Sequence, residues 1–249
     1  MAYLLYTLTG FLVGITSGLF GIGGGLITTP ILKLCFGLPA LIALATPLPV
    51  IVPTAVSGVI GYMNKGIIRR DIAIPAIIGG LPATIFGSYI TKFLSGKFLM
   101  ILTGLVIIGV GIKMLFNKSA KNQFCESGKK YFLYIMLVGL IAGFVSGLLA
   151  IGGGIILIPA FIMICGLTMQ EAAATSLVCI AFFAIPGSIT HALLGHIDWK
   201  IFFSISVGVI PATYLGTKIA LKLKSRQLQL MFSIFLIIFG VYFSITQFY

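Results

Sequence analysis

Apolar residues in this 249-residue chain occur in long runs separated by short polar loops. Each half of the chain contains five such runs, and the second run of each half is shorter than the others. The runs are Tyr3–Phe20, Leu26–Phe36, Ala43–Met63, Ile72–Phe93 and Phe98–Phe116, then Tyr131–Leu149, Ile155–Cys165, Ala172–Leu194, Ile201–Leu221 and Leu228–Phe248. Since about 20 apolar residues cross the hydrocarbon core of a bilayer, the pattern predicts an all-α polytopic membrane protein.

The two short runs have 11 residues each, and each follows a glycine triplet. They fit either a short span or the return arm of a re-entrant hairpin. Glycine is a weak helix former, so Gly23–Gly25 and Gly152–Gly154 predict breaks in otherwise continuous membrane helices. Free backbone groups at membrane depth are tolerated only where protein or a polar cavity satisfies them. The two breaks are therefore candidates for a substrate site.

A shift of 129 residues aligns the two halves. Gly10–Leu94 matches Gly139–Leu223 at 31 of 85 positions without an insertion, and glycines and prolines stay in register. The chain is therefore a duplicated unit. We divide it into a first transmembrane repeat (1–117), a cytoplasmic linker (118–130) and a second transmembrane repeat (131–249).

The 16 lysines and arginines distinguish two topologies. If each repeat crosses the membrane an odd number of times, 12 of them lie on one side and 4 on the other. If the first run and its short partner make one crossing, each repeat crosses four times and the split is 9 against 7. Because cytoplasmic loops carry an excess of lysine and arginine, the first arrangement is favoured. It predicts inverted repeats with both termini outside.

Composition excludes several classes of function. The net charge is +12, but the basic residues lie between apolar runs and form no basic face with interleaved aromatics, so nucleic-acid binding is not expected. Four cysteines, two histidines and four acidic residues show no metal-ligand spacing. We expect no enzyme, no metal and no cofactor. The expected partners are a small anionic substrate and membrane lipid.

A helix that begins after a glycine triplet directs its free N–H groups and partial positive charge toward the break. Such an end binds anions, and glycine allows the backbone to approach a ligand closely. Two of these ends facing each other would hold an oxyanion without a buried cation. The residues whose backbone is predicted to bind the substrate are Gly23, Gly24, Gly25, Gly152, Gly153 and Gly154.

Hydroxyl groups supply further donors. Thr46 and Thr175 occupy matching places in Ala-Thr-x-Leu stretches of the two repeats. The other hydroxyl candidates are Ser17, Thr28, Ser57, Ser146 and Ser176. For each of these side chains the alternative is a hydrogen bond to its own helix or close helix packing.

His191 is the candidate for proton coupling. It is the titratable group near physiological pH that falls within a predicted span. The alternative is a histidine whose hydrogen bonds are satisfied at a helix end near the membrane surface.

The pattern Gly-x-Gly-Gly-Gly with a proline five residues on resembles the TauE/SafE sulfite exporter family. It reads Gly21–Gly25 to Pro30 and, with alanine first, Ala150–Gly154 to Pro159. The Ala-Thr-x-Leu stretches and Gly195-His196-Ile197-Asp198-Trp199 are similar to that family as well. The resemblance covers nearly the whole chain.

Several expectations follow from this resemblance. It implies a secondary transporter that moves sulfite, small organosulfonates or related sulfur-containing anions across the bacterial plasma membrane. An anion channel, or a transporter of other small organic anions, is the alternative. Because of two departures from the family pattern, the two half-sites need not be equivalent. Ala150 stands opposite Gly21, and Asn64–Arg69 lacks the Gly-x-Ile-Asp-Trp form of the second repeat.

Overall fold

The structure, a computed structural model, describes residues 2–116 and 128–245. Within these residues every regular element is helical. Eight of the described helical segments are long and apolar enough to cross a membrane, and two shorter apolar helices follow the glycine triplets. The prediction of an all-α multi-pass membrane protein is confirmed. Residues 117–127, which include most of the predicted linker, lie outside the described residues.

The helices of the two repeats correspond in order. In the first repeat they are α1 (Ala2–Phe20), α2 (Gly25–Pro30), α3 (Ala40–Ala45), α4 (Pro47–Met63), α5 (Arg70–Ile90) and α6 (Gly96–Phe116); a π-helical turn (Ile31–Cys35) extends α2, and a 3-10 turn (Thr91–Phe93) extends α5. In the second repeat they are α7 (Lys129–Leu149), α8 (Gly154–Cys165), α9 (Met169–Leu193), α10 (Trp199–Ala220) and α11 (Ser225–Ile245). The helix breaks predicted at both glycine triplets are confirmed.

Proline explains one difference between the repeats. The first repeat divides a membrane segment into α3 and α4 at Thr46, whereas the matching α9 is continuous. Pro47 and Pro49 follow the division, and proline lacks the N–H that continues a helical hydrogen-bond ladder. The second repeat has Ser176 and Val178 at these positions, so its ladder is not interrupted there.

Helices α1 and α2 form a hairpin. A Cβ at Gly24, just after the break, would contact Val13 of α1. Further along, the ring of Phe36 packs on Tyr6, with centroids 4.3 Å apart. The chain therefore returns along α1 toward the side of the membrane on which α1 began.

Helices α7 and α8 form a hairpin in the same way. Gly153 lies beside Ser146 near the end of α7, and the side chain of Cys165 at the end of α8 lies close to that of Tyr131 near the start of α7. The short segment of each repeat is thus the return arm of a hairpin, which is one of the two possibilities left open by the hydropathy pattern.

The first helix of each repeat packs against the other repeat. Helix α1 lies along α10, and α7 lies along α5, through glycines whose Cβ would overlap neighbouring main-chain atoms. The contacts are Gly10–Ile205, Gly14–Val209 and Gly18–Thr213 for the first pair, and Gly139–Ala76, Gly143–Gly80 and Gly147–Thr84 for the second. Each list becomes the other under the 129-residue shift. Residue numbers rise together in both pairs, so the paired helices are parallel, and glycine allows their backbones to approach closely.

Equivalent helices of the two repeats that contact each other run antiparallel. Helix α4 contacts α9 through Leu48–Gly187 and Gly58–Leu177, and α6 contacts α11 through Gly104–Ser244 and Gly111–Leu236. In both pairs the numbers on one helix rise as those on the other fall. Helix α4 also runs parallel to α10, since Gly58 meets Thr213 and Gly61 meets Thr217. Equivalent helices of the two repeats therefore run in opposite directions.

The helix directions sort the basic residues into two groups. The ends of α4, α6 and α10 and the starts of α5, α7, α9 and α11 share one side, which we call the basic side. The described basic positions on this side are Lys65, Arg69, Arg70, Lys113, Lys129, Lys130, Lys218, Lys222, Lys224 and Arg226, and those on the other side are Lys33, Lys92, Lys97 and Lys200. This distribution is the one that an odd number of crossings per repeat produces.

Candidate functional site

The two glycine breaks meet each other inside the protein. A Cβ at Gly25 would lie 3.1 Å from the carbonyl oxygen of Ala150, and a Cβ at Gly154 would lie 3.0 Å from that of Gly21. These two contacts exchange under the 129-residue shift. All residues from Gly21 to Pro30 and from Ala150 to Gly154 are buried, so the meeting point is closed to solvent from both sides.

This meeting point lies near the middle of the membrane. Gly24 lies beside Val13 and Ser17, which are about 20 Å from the start of α1 at 1.5 Å per helical residue. Gly153 lies beside Ser146 at a similar distance from the start of α7. Because α1 and α7 start on opposite sides of a hydrocarbon core about 30 Å thick, both breaks fall in its central part.

The backbone at each break presents a helix N-terminus to this centre. Gly24 and Gly153 precede α2 and α8 with φ of 85° and 72°, a left-handed conformation that side chains disfavour. The first N–H groups of a helix have no partner within the helix, and no side chain caps either start. Uncapped N–H groups and the positive end of two helix dipoles thus favour an anion between the breaks.

Two serines beside the breaks have unpaired hydroxyl groups. Ser17 lies next to Gly24, and Ser146 lies next to Gly153. Both side chains are fully buried, and neither Oγ makes a hydrogen bond within the described residues. An unsatisfied buried hydroxyl costs about 1–3 kcal/mol. The two hydroxyls lie at equivalent positions of the repeats and are available to hydrogen-bond a ligand at the breaks.

Ser176 lies at the same centre but is already engaged. Its hydroxyl donates to the carbonyl oxygens of Gly21 and Ala173, at 2.8 and 2.9 Å. Ser176 therefore links α9 to the break of the other repeat. Of the other hydroxyl candidates, Thr28 bonds to the carbonyl of Gly24 in its own helix, and Ser57 bonds to that of Ile210.

Thr46 and Thr175 are not brought together. The Oγ1 of Thr46 accepts a hydrogen bond from the N–H of Asp198, and that of Thr175 accepts one from the N–H of Arg69, both at 3.1 Å. Asp198 and Arg69 precede α10 and α5, which begin on opposite sides of the membrane. Each threonine thus holds the start of a helix in the other repeat, and its hydroxyl is directed to that loop.

His191 lies buried near the end of α9. Its Nε2 is 3.5 Å from the carbonyl oxygen of Gly147, and its Nδ1 is 3.3 Å from Nδ1 of His196. The matching residue of the first repeat, Tyr62, donates to the carbonyl of Gly18 at 2.9 Å. Since the last carbonyls of a helix lack partners within it, both side chains satisfy a carbonyl near the end of their repeat's first helix.

Three residues of the site escaped the sequence analysis. Ile51 and Ile180 pack against Gly23 from α4 and α9, and His196 pairs with His191. The two isoleucines occupy matching positions of the repeats, and this identity was the signal in the sequence that could have pointed to them. His196 follows five residues after His191 and lies in a loop, where no helical spacing connects the two rings.

The chemistry around the breaks is neutral. The side chains that would meet a Cβ at Gly23, Gly24 or Gly153 are Val13, Ser17, Ile51, Ser146, Ile180 and Phe183. In the described part of the chain, no group of three His, Cys, Asp or Glu residues is placed to hold a metal ion. The donors available to a ligand here are therefore backbone N–H groups and the two serine hydroxyls, a set that suits a small oxyanion.

Residues 6–243 match the family model described as sulfite exporter TauE/SafE. The chain is 25% identical to the probable membrane transporter protein YunE of Bacillus subtilis, over 96% of each chain. It is 30% identical to a probable membrane transporter protein of Xylella fastidiosa over 94% of this chain and 92% of that one. It is 29% identical to another of Methanocaldococcus jannaschii, over 96% and 94%. No solved structure matches the chain.

Proposed function

We propose that this chain, which belongs to the sulfite exporter TauE/SafE family of membrane transporters, moves small sulfur-containing oxyanions across the plasma membrane by alternating access. The observation that carries the proposal is the meeting of two uncapped helix N-termini beside the unpaired hydroxyls of Ser17 and Ser146. Sulfite and organosulfonates are the substrates that we assign to this centre.

The charge of the site favours a singly charged anion. Each helix N-terminus is equivalent to roughly half a positive elementary charge, so α2 and α8 together offset about one negative charge. The serine hydroxyls add two neutral donors. Hydrogen sulfite and monoanionic sulfonates fit this balance better than a dianion such as sulfate, whose second charge would need a cation.

Two features support alternating access over a channel. The breaks are buried from both sides, so a bound anion is occluded, whereas a channel needs a continuous aqueous path. Helices of opposite direction from the two repeats meet at the breaks, and substrate sites of secondary transporters lie at such repeat interfaces. We therefore retain inverted repeats, with both termini outside, as the proposed topology.

Proton coupling through His191 remains a prediction. Tyr62 makes the matching contact in the first repeat without a titratable group near pH 7, which favours a structural role for His191. The variant His191→Tyr separates the two roles. If the histidine carries a coupling proton, this variant loses dependence of flux on a pH gradient; if its role is structural, that dependence is kept.

Removal of the two unpaired hydroxyls tests the site. In proteoliposomes, Ser17→Ala combined with Ser146→Ala is expected to lower sulfite uptake by about tenfold or more, because a hydrogen bond to a charged ligand contributes about 1.5–3 kcal/mol. Thermal stability of the ligand-free protein should not fall, since no bond within the protein is lost. The matched controls are Ser206→Ala and Ser244→Ala, whose hydroxyls are also buried and unpaired. Unchanged uptake by the double variant contradicts the proposal.

Two further measurements separate the alternatives. Uptake that saturates with substrate concentration supports a transporter, and single-channel conductance supports a channel. Thermal shifts measured with sulfite, sulfate, thiosulfate, sulfoacetate and taurine identify the substrate class. Stabilisation by carboxylates but by none of these compounds would favour a transporter of other organic anions.

A further inference from the structure

A groove opens between α4, α5 and α9 on the basic side of the protein. It has a volume of about 600 Å³, and its lining includes Met63, Arg70, Ala73, Ile77 and Phe182. The lining is apolar except for Arg70. Met63 and Phe182 are 59% and 45% exposed, and both belong to membrane-spanning segments, so the groove faces the lipid.

The charge of the groove lies at its mouth. Arg70 is the first residue of α5 and therefore lies at the membrane surface. Ile77 lies two helical turns further along α5, so the apolar part extends about 10 Å into the hydrocarbon layer. The neighbouring carboxylate, Asp71, already binds Arg69 through two hydrogen bonds of 3.0 and 2.7 Å. The exposed guanidinium of Arg70 makes no ion pair within the described residues.

The second repeat has aromatic residues at the matching positions. Trp199 stands at the position of Arg70, Phe202 at that of Ala73, and Phe203 follows it. These rings pack edge to face, Trp199 against Phe202 at 5.7 Å and Phe202 against Phe203 at 4.8 Å. Large aromatic side chains thus occupy one copy, while a small residue and a cation stand in the other. The cation and the small residue that line the groove are therefore specific to the first repeat.

We propose that this groove binds an anionic phospholipid of the surrounding bilayer. The phosphate lies on Arg70, and one acyl chain lies along Ala73, Ile77 and Phe182. The apolar part of the groove, which is open to the bilayer, suits the acyl chain. The unpaired guanidinium at the level of the headgroups suits the phosphate. The proposal is independent of the substrate that the glycine breaks bind.

Native mass spectrometry of the purified protein tests the site, with phosphatidylglycerol and phosphatidylcholine of identical acyl chains as probes. The wild-type protein is expected to retain phosphatidylglycerol in preference to phosphatidylcholine. Arg70→Gln should lower phosphatidylglycerol occupancy about fivefold, the contribution of one basic residue near the membrane surface. Ala73→Phe, which copies the second repeat, should fill the groove and give a similar loss.

Two matched variants control for general effects. Lys222→Gln removes an exposed cation from the same side, and Ile78→Phe enlarges a lipid-facing side chain of α5 outside the groove; both should bind as wild type. Equal retention by Arg70→Gln and wild type, or no preference between the two lipids, overturns the proposal. Loss with Arg70→Gln but not with a folded Ala73→Phe also overturns it, as does displacement by inorganic phosphate, since the anion site would then lack the acyl chain.

Discussion

The hydroxyl of Ser176 in α9 donates a hydrogen bond to the carbonyl oxygen of Gly21, 2.8 Å away in the other repeat. The matching position in the first repeat is Pro47, whose side chain has no hydrogen to donate. The carbonyl of Ala150, which corresponds to that of Gly21, therefore cannot receive the equivalent bond. The two half-sites have the same backbone arrangement but different hydrogen bonding, so they are not interchangeable.

Loss of this bond should destabilise the protein. Ser176→Ala leaves the buried carbonyl of Gly21 without its donor and is expected to lower the free energy of unfolding by about 1–3 kcal/mol. The measurement is thermal unfolding of the detergent-solubilised protein. Ser204→Ala, which removes an exposed bond within α10, serves as the control. Equal melting temperatures for Ser176→Ala and wild type would show that the bond contributes nothing.

Exchange of residues between the two breaks should have opposite effects. Ala150 is the one described residue other than glycine with a positive φ, of 55°, and this conformation costs roughly 1 kcal/mol or more for a side chain. Ala150→Gly is therefore expected to raise the melting temperature or leave it unchanged. Gly21→Ala should lower it strongly, because the new Cβ would lie 2.5 Å from Cα of Ala173. Similar melting temperatures for both variants would contradict the structure.

The cross-repeat helix contacts should not accept a methyl group. A Cβ at Gly18 would overlap the main chain at Thr213, and one at Gly147 would overlap it at Thr84. Gly18→Ala and Gly147→Ala should each reduce the amount of folded protein, measured by size-exclusion chromatography. A Cβ at Gly109, in α6, would meet open space, so Gly109→Ala should be neutral or gain up to about 1 kcal/mol from its better helix propensity. Normal elution of the two interface variants would refute the close contact.

Acid should destabilise the loop after α9 through His196. Burial lowers the pKa of His196 below its ordinary value, because the charged imidazolium is less well solvated there than in water. Because the unfolded chain keeps a histidine pKa near 6.5, unfolding takes up a proton as the pH falls through that value. As far as it depends on His196, the free energy of unfolding is therefore highest above about pH 6.5 and decreases below that value.

Thermal unfolding measured from about pH 8 to about pH 5 checks this dependence. The variant His196→Asn should show a smaller decrease in melting temperature on acidification than wild type. Identical decreases in the two proteins would assign the acid sensitivity to another group.

The hydropathy pattern was sufficient to predict the membrane segments and the helix breaks. Bilayer thickness sets the length of a span, and a glycine triplet weakens a helix wherever it occurs; both are local effects. The 129-residue shift was equally informative about helix packing. Gly10, Gly14 and Gly18 of α1 recur at the matching positions of α7, because both helices need the same close contact with a helix of the other repeat. The family resemblance rested on the same residues around Gly23–Gly25 and Pro30, and the match over residues 6–243 confirms it.

The partners of individual side chains were decided by the tertiary structure. Nothing local distinguishes the hydroxyl of Thr46, which binds the loop at Asp198, from that of Ser17, which has no partner at the break. Each contact depends on how one repeat is placed against the other, over more than a hundred positions of sequence. The sequence by itself determined where the helices lie and where they break, because those properties depend on neighbouring residues. Only the packing of the two repeats decided which polar groups stay unpaired at the centre, because a hydrogen bond needs both partners in position.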